Sequence, residues 1–180
     1  MSKQLDGTGM KRLHRSWRAH TSGRVSLILD GLGSPFNVGS IMRSAASYRV
    51  EQAWFSGATP PVESSGVQRT ALGTDRYLDV HRMDSTVSAI EAATAAGYTC
   101  VALELTEDAT PLHLLAPTLG PDVCLVIGHE DHGVSKPALA AVSAVTYLPM
   151  LGKVGSLNVA TAAAIAIYEL RRRTWPDGPT

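Results

Sequence analysis

Six short apolar or β-branched runs recur along this chain, at Val25–Leu29, Gln52–Ser56, Leu78–His81, Thr99–Leu105, Val123–Ile127 and Val145–Leu148. Several are separated by stretches with helical periodicity. Val38–Tyr48 puts Ile41, Ala45 and Tyr48 on one stripe. Ser85–Ala96 is opened by Asp84 or Ser85 and stopped by Gly97. Lys136–Val142 reads as a short helix, and Leu157–Arg173 as a longer, Ala-rich one. Strands that alternate with helices need crossover connections, so the pattern predicts an α/β fold: a mainly parallel sheet with helices on both faces. Thr59–Gly66 is a Pro/Ser/Gly loop. The length suits one domain, drawn over 25–173, with a basic extension at 1–24 and a tail at 174–180.

The formal net charge is zero. That excludes a whole-surface basic field, so a nucleic-acid partner has to be met by a local patch. The richest patch is residues 1–24, with Lys3, Lys11, Arg12, His14, Arg15, Arg18, His20 and Arg24 around Trp17. It reads either as a solvated, partly disordered tail or as an RNA-contacting arm that uses Arg12, Arg15, Arg18 and Arg24. Arg171-Arg172-Arg173-Thr174-Trp175 has the same two readings, and cations also suit a helix C-terminus. Cys100 and Cys124 lie inside apolar runs and read as buried thiols, which points to a reducing cytoplasm. No apolar run reaches membrane-spanning length and residues 1–24 hold no signal-peptide core, so neither a membrane nor secretion is expected.

Polar residues gather just after three of the strands. Asp30-Gly31-Leu32-Gly33-Ser34-Pro35-Phe36 fails the dinucleotide-binding spacing because Phe36 holds the third glycine position. Gly152-Lys153 lacks the upstream glycine and following hydroxyl of a P-loop. In Asn37-Val38-Gly39-Ser40-Ile41-Met42-Arg43, Asn37 is placed as the N-cap of the first helix and Gly39 as the residue that keeps its first turn open to a ligand. Gly128-His129-Glu130-Asp131-His132-Gly133 looks metal-like but is not H-E-x-x-H and has no third ligand at a usual spacing, so no metal is expected. A strand-end carboxylate there suits a polar ligand, a tight turn, or an N-cap for the Val134–Val142 region. The third cluster is Leu148–Val159, a Gly-studded loop running into a helix opened by Ser156-Leu157-Asn158. Free backbone N–H groups and small side chains there let a ligand approach the main chain. Three polar strand-end loops are what a ligand site on an α/β sheet looks like.

Together these segments resemble one family. N-x-G-x-x-x-R at 37–43, G-x-E-x-x-G-V at 128–134 and L-P-M-x-G-x-x-x-S-L-N-V at 148–159 look like the three motifs of the SpoU/TrmH class of SPOUT RNA 2′-O-methyltransferases. Order and spacing agree from about Val25 to Glu169, and Thr70-Ala71-Leu72-Gly73-Thr74 and Ala102-Leu103-Glu104 also fit. Ser40 departs from the Asn or Ala of many relatives.

The resemblance implies a C-terminal trefoil knot, a homodimer and S-adenosylmethionine bound in the knot; the base rate for knots is otherwise strongly against one. By position, the cofactor would contact Leu103, Glu104, Gly128, Leu148, Met150, Ser156 and Leu157. Arg43 would be catalytic, supported by Asn37, Glu130, Ser156 and Asn158, and would also touch RNA. Guanidinium groups stay protonated in proteins, so the hydroxyl proton goes either to an RNA phosphate clamped by Arg43 or to an unusually perturbed Arg43 itself. The Ala-rich last helix, through Ala160, Ala163, Ala164 and Ile167, would pack inside its own subunit or join the first helix in the dimer interface. The substrate implied is RNA, tRNA ahead of ribosomal RNA because little lies outside the catalytic domain. A non-catalytic RNA- or cofactor-binding module is the contrasting reading.

Overall fold

The computed structural model describes residues 2–175. Seven strands form one sheet: β1 (Val25–Asp30), β2 (Gln52–Ser56), β3 (Asp79–Arg82), β4 (Thr99–Leu103), β5 (Thr110–Pro111), β6 (Val123–Gly128) and β7 (Ala144–Tyr147). Their order is β3-β2-β1-β6-β4-β7-β5, and every pairing is parallel. The helices are α1 (Gly7–His20), α2 (Pro35–Ser47), α3 (Ser65–Ala71), α4 (Thr86–Ala95), α5 (Leu112–Leu115), α6 (Lys136–Ala141) and α7 (Val159–Arg172).

The centre of the sheet explains why β6 is an unbroken apolar run up to Gly128 and why β1 is apolar apart from Ser26 and the terminal Asp30. All residues of both are buried, because helices cover both faces. Alternate side chains feed two cores. Leu27, Leu29, Leu125 and Ile127 join α2, α3 and α7 on one face. Ile28, Cys124 and Val126 join α4 and α6 on the other. Each fully buried Leu or Ile contributes roughly 1.5–3 kcal/mol, so this central pair anchors the fold. Cys100 and Cys124 face each other across β4 and β6 as free, buried thiols.

Three departures from the sequence reading have local causes. Residues 7–20 form helix α1, capped by Asp6, whose side chain accepts from the Gly9 N–H at 2.7 Å. Met10, Leu13 and Trp17 recur on one stripe of it at helical spacing, a signal that the charge-based reading of this segment passed over. The helix buries no residue fully, but Trp17 packs on Trp175 with ring centroids 5.4 Å apart. Helix α3 starts at Ser65, inside the predicted Thr59–Gly66 loop, and runs on to Ala71. Helix α2 begins earlier than expected because Ser34, not Asn37, is its N-cap, with Pro35 at the first helical position.

Gly39 does not hold a turn open. A Cβ there would lie 2.1 Å from Thr70 Oγ1 and 2.4 Å from the Val67 carbonyl oxygen, so the missing side chain lets α3 pack on α2. The carbonyl is backbone and cannot swing away. Gly39→Ala is therefore expected to cost about 2–3 kcal/mol of stability by overpacking, read by urea unfolding. A change below about 0.5 kcal/mol would mean the two helices are not held this closely.

Candidate active site at the strand ends

Parallel strands deliver their following loops to one end of the sheet. There the segments after β1, β6 and β7 meet in a chain of hydrogen bonds. Asn158 Nδ2 donates to Asn37 Oδ1 at 3.1 Å, and Asn37 Nδ2 donates to Glu130 Oε1 at 2.7 Å. Glu130 also accepts from the Gly33 N–H (2.9 Å, Oε2) and the Ser34 N–H (3.1 Å, Oε1). The carboxylate thus sits on free amides at the start of α2, where a negative charge is favoured. It does not cap the following helix; Ser135 is the N-cap of α6. Asn158 also caps α7 by accepting from Ala160 and Thr161 through its Oδ1, so that helix starts at Val159 rather than Leu157.

Desolvation pushes the Glu130 carboxyl up, but the bonds from Asn37, Gly33 and Ser34 outweigh it and hold the group below its ordinary range. A depressed carboxylate stabilises the fold above its unfolded value of about 4.3, and that contribution is lost as pH falls through the folded value. The amide resonances of Gly33 and Ser34 should therefore titrate together below about pH 4.3. Glu130→Gln should abolish the titration, and amides that stay flat in the unsubstituted protein would contradict the bonding.

Two further acids fix the loops beneath. Asp30, at the end of β1, is 9% exposed; it accepts from Thr86 Oγ1 and from the Ser135 N–H at 2.8 Å. Glu104 accepts from the Val134 N–H at 2.8 Å and the Leu105 N–H at 3.0 Å. Gly128 is required because a Cβ would meet the Gly133 carbonyl carbon at 2.1 Å and the Val134 nitrogen at 2.2 Å. Sequence reasoning missed Asp30, Ser34, His129 and His132 as site residues. The Ser-Pro pair was the available signal for Ser34.

Beside this network lies a depression of about 450 Å³, lined by Leu103, Glu104, Ile127, Gly128, His129, Glu130, Asp131, His132, Gly133, Ser156, Leu157, Val159 and Ala162. Its size falls within the roughly 300–1,000 Å³ of small-molecule sites. Leu103, Glu104, Gly128, Glu130, Ser156 and Leu157 are thus brought together. Leu148 instead packs half-buried against the larger core, and Met150, 38% exposed, sits on the loop after β7; neither lines the depression. Arg43 is exposed on α2, outside the lining, and its guanidinium has no ion pair among the described residues.

The basic residues divide. Arg12, Arg15 and Arg18 are exposed on α1. Arg24 lies at the amino end of β1, away from the strand-end loops. It pairs with Asp122 at 2.9 Å, donates to the Ala96 carbonyl and covers the Tyr98 ring. Arg171 is buried, Arg172 pairs with Glu169, and Arg173 donates to the Ala116, Leu119 and Pro121 carbonyls. That C-terminal cluster is structural. Among the described residues no group of three His, Cys, Asp or Glu converges to hold a metal, and no helix is long and apolar enough to cross a membrane.

A parallel sheet with interlocked polar loops beside a ligand-sized hollow at its carboxyl end is the arrangement in which α/β proteins bind ligands. Comparison with known proteins narrows the class. The SpoU rRNA Methylase family model matches residues 24–168, and the chain belongs to that family. It is 30% identical over 159 residues to an uncharacterized tRNA/rRNA methyltransferase of Archaeoglobus fulgidus, covering 88% of this chain and 69% of the relative. Other curated relatives are matched over only 57–58% of their length. Among solved structures, an AdoMet-bound rRNA methyltransferase from Sinorhizobium meliloti superposes with a TM-score of 0.77 at 26% identity, over 85% of this chain and 57% of that one. An RNA 2′-O ribose methyltransferase superposes with a TM-score of 0.72 at 27% identity, over 85% and 57%.

Proposed function

We propose that this protein transfers a methyl group from S-adenosylmethionine to a ribose 2′-oxygen of RNA, tRNA being the first substrate to test. The observation that carries the reading is the Asn158–Asn37–Glu130 chain, which ties all three motif segments together beside the depression. The residues present fit the cofactor. Leu103, Ile127, Leu157 and Val159 offer apolar walls for an adenine, and Gly128 lets the Gly133–Val134 backbone close in beside them. When bound, the cofactor supplies an electrophilic methyl on a sulfonium, which is left as a thioether.

The chain's own residues do the rest. Leu103, Glu104, Gly128, Ser156 and Leu157 hold the cofactor in the depression, while Leu148 and Met150 act from the adjoining loop. Glu130 and Asn158 fix the Asn37 amide, which orients the ribose. Arg43 clamps an RNA phosphate through two parallel N–H···O bonds, and that phosphate takes the hydroxyl proton. Arg12, Arg15 and Arg18 on α1 draw in the RNA backbone.

The working unit is a homodimer. On α7 the dimer face is Ala164, Ile165 and Tyr168, which border a surface groove with Ser44, Ser47 and Tyr48 of α2. Ala160, Ala163 and Ile167 are instead buried within the subunit. A trefoil knot is supported by the strand order: the chain passes from β4 out to β5 at the edge, inward past β4 to β6, outward again to β7 between β4 and β5, and back through α7 to β6 and β1. The setting is cytoplasmic, in keeping with two free thiols.

Labelled methyl transfer to total tRNA and to ribosomal RNA, with mass-spectrometric mapping of the methylated nucleoside, tests the reading. Base methylation would overturn the ribose assignment. Tight cofactor binding with no transfer to any RNA would favour the non-catalytic module. Ribosomal RNA is the second substrate, favoured by the substrate class of the Sinorhizobium structure.

A further inference from the structure

We propose that His132, stacked on His129, is a platform for a nucleobase of the RNA beside the reacting ribose. The proposal rests on the RNA-methyltransferase reading and deepens it, by naming what recognises a base rather than the backbone.

Local chemistry builds the platform. After β6 the chain doubles back. His129 and Gly133 exchange both backbone hydrogen bonds, at 3.0 and 2.9 Å, and Gly133 takes a φ of +67° that suits glycine. This tight turn brings the two imidazoles face to face, with centroids 4.7 Å apart and planes at 25°. The Asp131 N–H donates to His129 Nδ1 at 3.0 Å, which fixes the ring. A Cβ on Gly33 would lie 3.1 Å from His129 Nε2, so the bare Gly33 backbone makes room for the inner ring.

Three observations choose a base as the occupant. Both rings line the same depression as Glu130, Ser156 and Leu157, so whatever they hold lies beside the transfer site. His132 is exposed, and neither histidine has a carboxylate at ion-pair distance among the described residues. Stacked rings do not converge their nitrogens on one ion, so the arrangement suits a base better than a metal. Exposed imidazole faces are among the surfaces on which unpaired bases stack, and stacking tolerates any base because each has a π-face.

The test compares His132→Ala with His132→Phe, using total tRNA and ribosomal RNA as substrates and S-adenosylhomocysteine as the cofactor probe. His132→Ala should raise the KM for RNA about tenfold with kcat within about threefold, and His132→Phe should restore KM to within about threefold. Binding of S-adenosylhomocysteine, by calorimetry, should not change in either. An unchanged KM in His132→Ala would overturn the proposal, as would a phenylalanine variant as impaired as the alanine one. A loss confined to cofactor affinity would overturn it too, by placing the cofactor's adenine on the stack. Should the unsubstituted protein transfer no methyl, the enzymatic reading fails by itself. Anisotropy with a labelled single-stranded RNA then still reads the platform: binding about tenfold weaker in His132→Ala supports it, and equal binding overturns it.

Discussion

Arg43→Lys is expected to lower kcat for methyl transfer to RNA by about a thousandfold, a loss within the range of proton-transfer catalysis, while cofactor affinity stays within about twofold. The size follows from what lysine keeps and what it loses. It keeps the positive charge. It loses the planar fork that grips two phosphate oxygens at once. Arg43 is exposed on α2, six residues beyond Asn37, which is about 9 Å along the helix axis at 1.5 Å per residue. The start of that helix is held by Glu130, so the distance between the Asn37 amide and Arg43 is set by a rigid element. Substitution at an exposed position should leave the melting temperature unchanged, which separates lost chemistry from lost folding. The pH profile then divides two proton routes. If the side chain itself takes the proton, Arg43→Lys should regain rate as pH approaches the lysine range near 10. If an RNA phosphate takes it, the variant stays slow across that range. Retention of more than about a tenth of the rate at neutral pH would refute both.

The sheet was legible because its central strands are buried on both sides. Such strands are mostly apolar, and Val123–Ile127 declares itself on that ground alone. Elements that bury little were not legible. β5 is two residues long and paired only at the edge. α1 buries no residue fully, and its Met10, Leu13 and Trp17 stripe was masked by the run of cations around it. In the site, the three loops could be named from polar residues after strands, but what joins them could not. Asn37 looked like a cap and is instead a crosslink between Asn158 and Glu130, residues distant in sequence. Gly39 looked like an opening and is instead a packing contact with α3. In both cases one residue type serves a local role and a long-range one, and spacing reports only the local role. His129 and His132 were read for their nitrogens, whereas the turn presents their faces.

Arg171→Met should lower the free energy of unfolding by about 3 kcal/mol, the other large effect this structure implies. The side chain is 3% exposed and has no carboxylate partner among the described residues. It donates instead to three backbone carbonyls: Tyr48 at 2.8 Å, Gly23 at 2.8 Å, and Arg49. Burial holds its pKa below the ordinary guanidinium value. Methionine fills part of the volume but leaves the acceptors bare, at about 1–3 kcal/mol for each that water cannot reach. Lysine should recover less than half of the loss, because one ammonium cannot span three carbonyls on two segments. The damage should reach the site. Arg49 sits at a φ of +54°, just past the end of α2, and Arg171 holds it from the last turn of α7. Those two helices begin at the strand-end loops, where Asn37 meets Asn158. Loosening the far ends should therefore speed amide exchange at Tyr48–Val50 first and weaken the Asn37–Asn158 bond with it. Unfolding within about 1 kcal/mol of the unsubstituted protein would show that the three bonds do not hold the helices together.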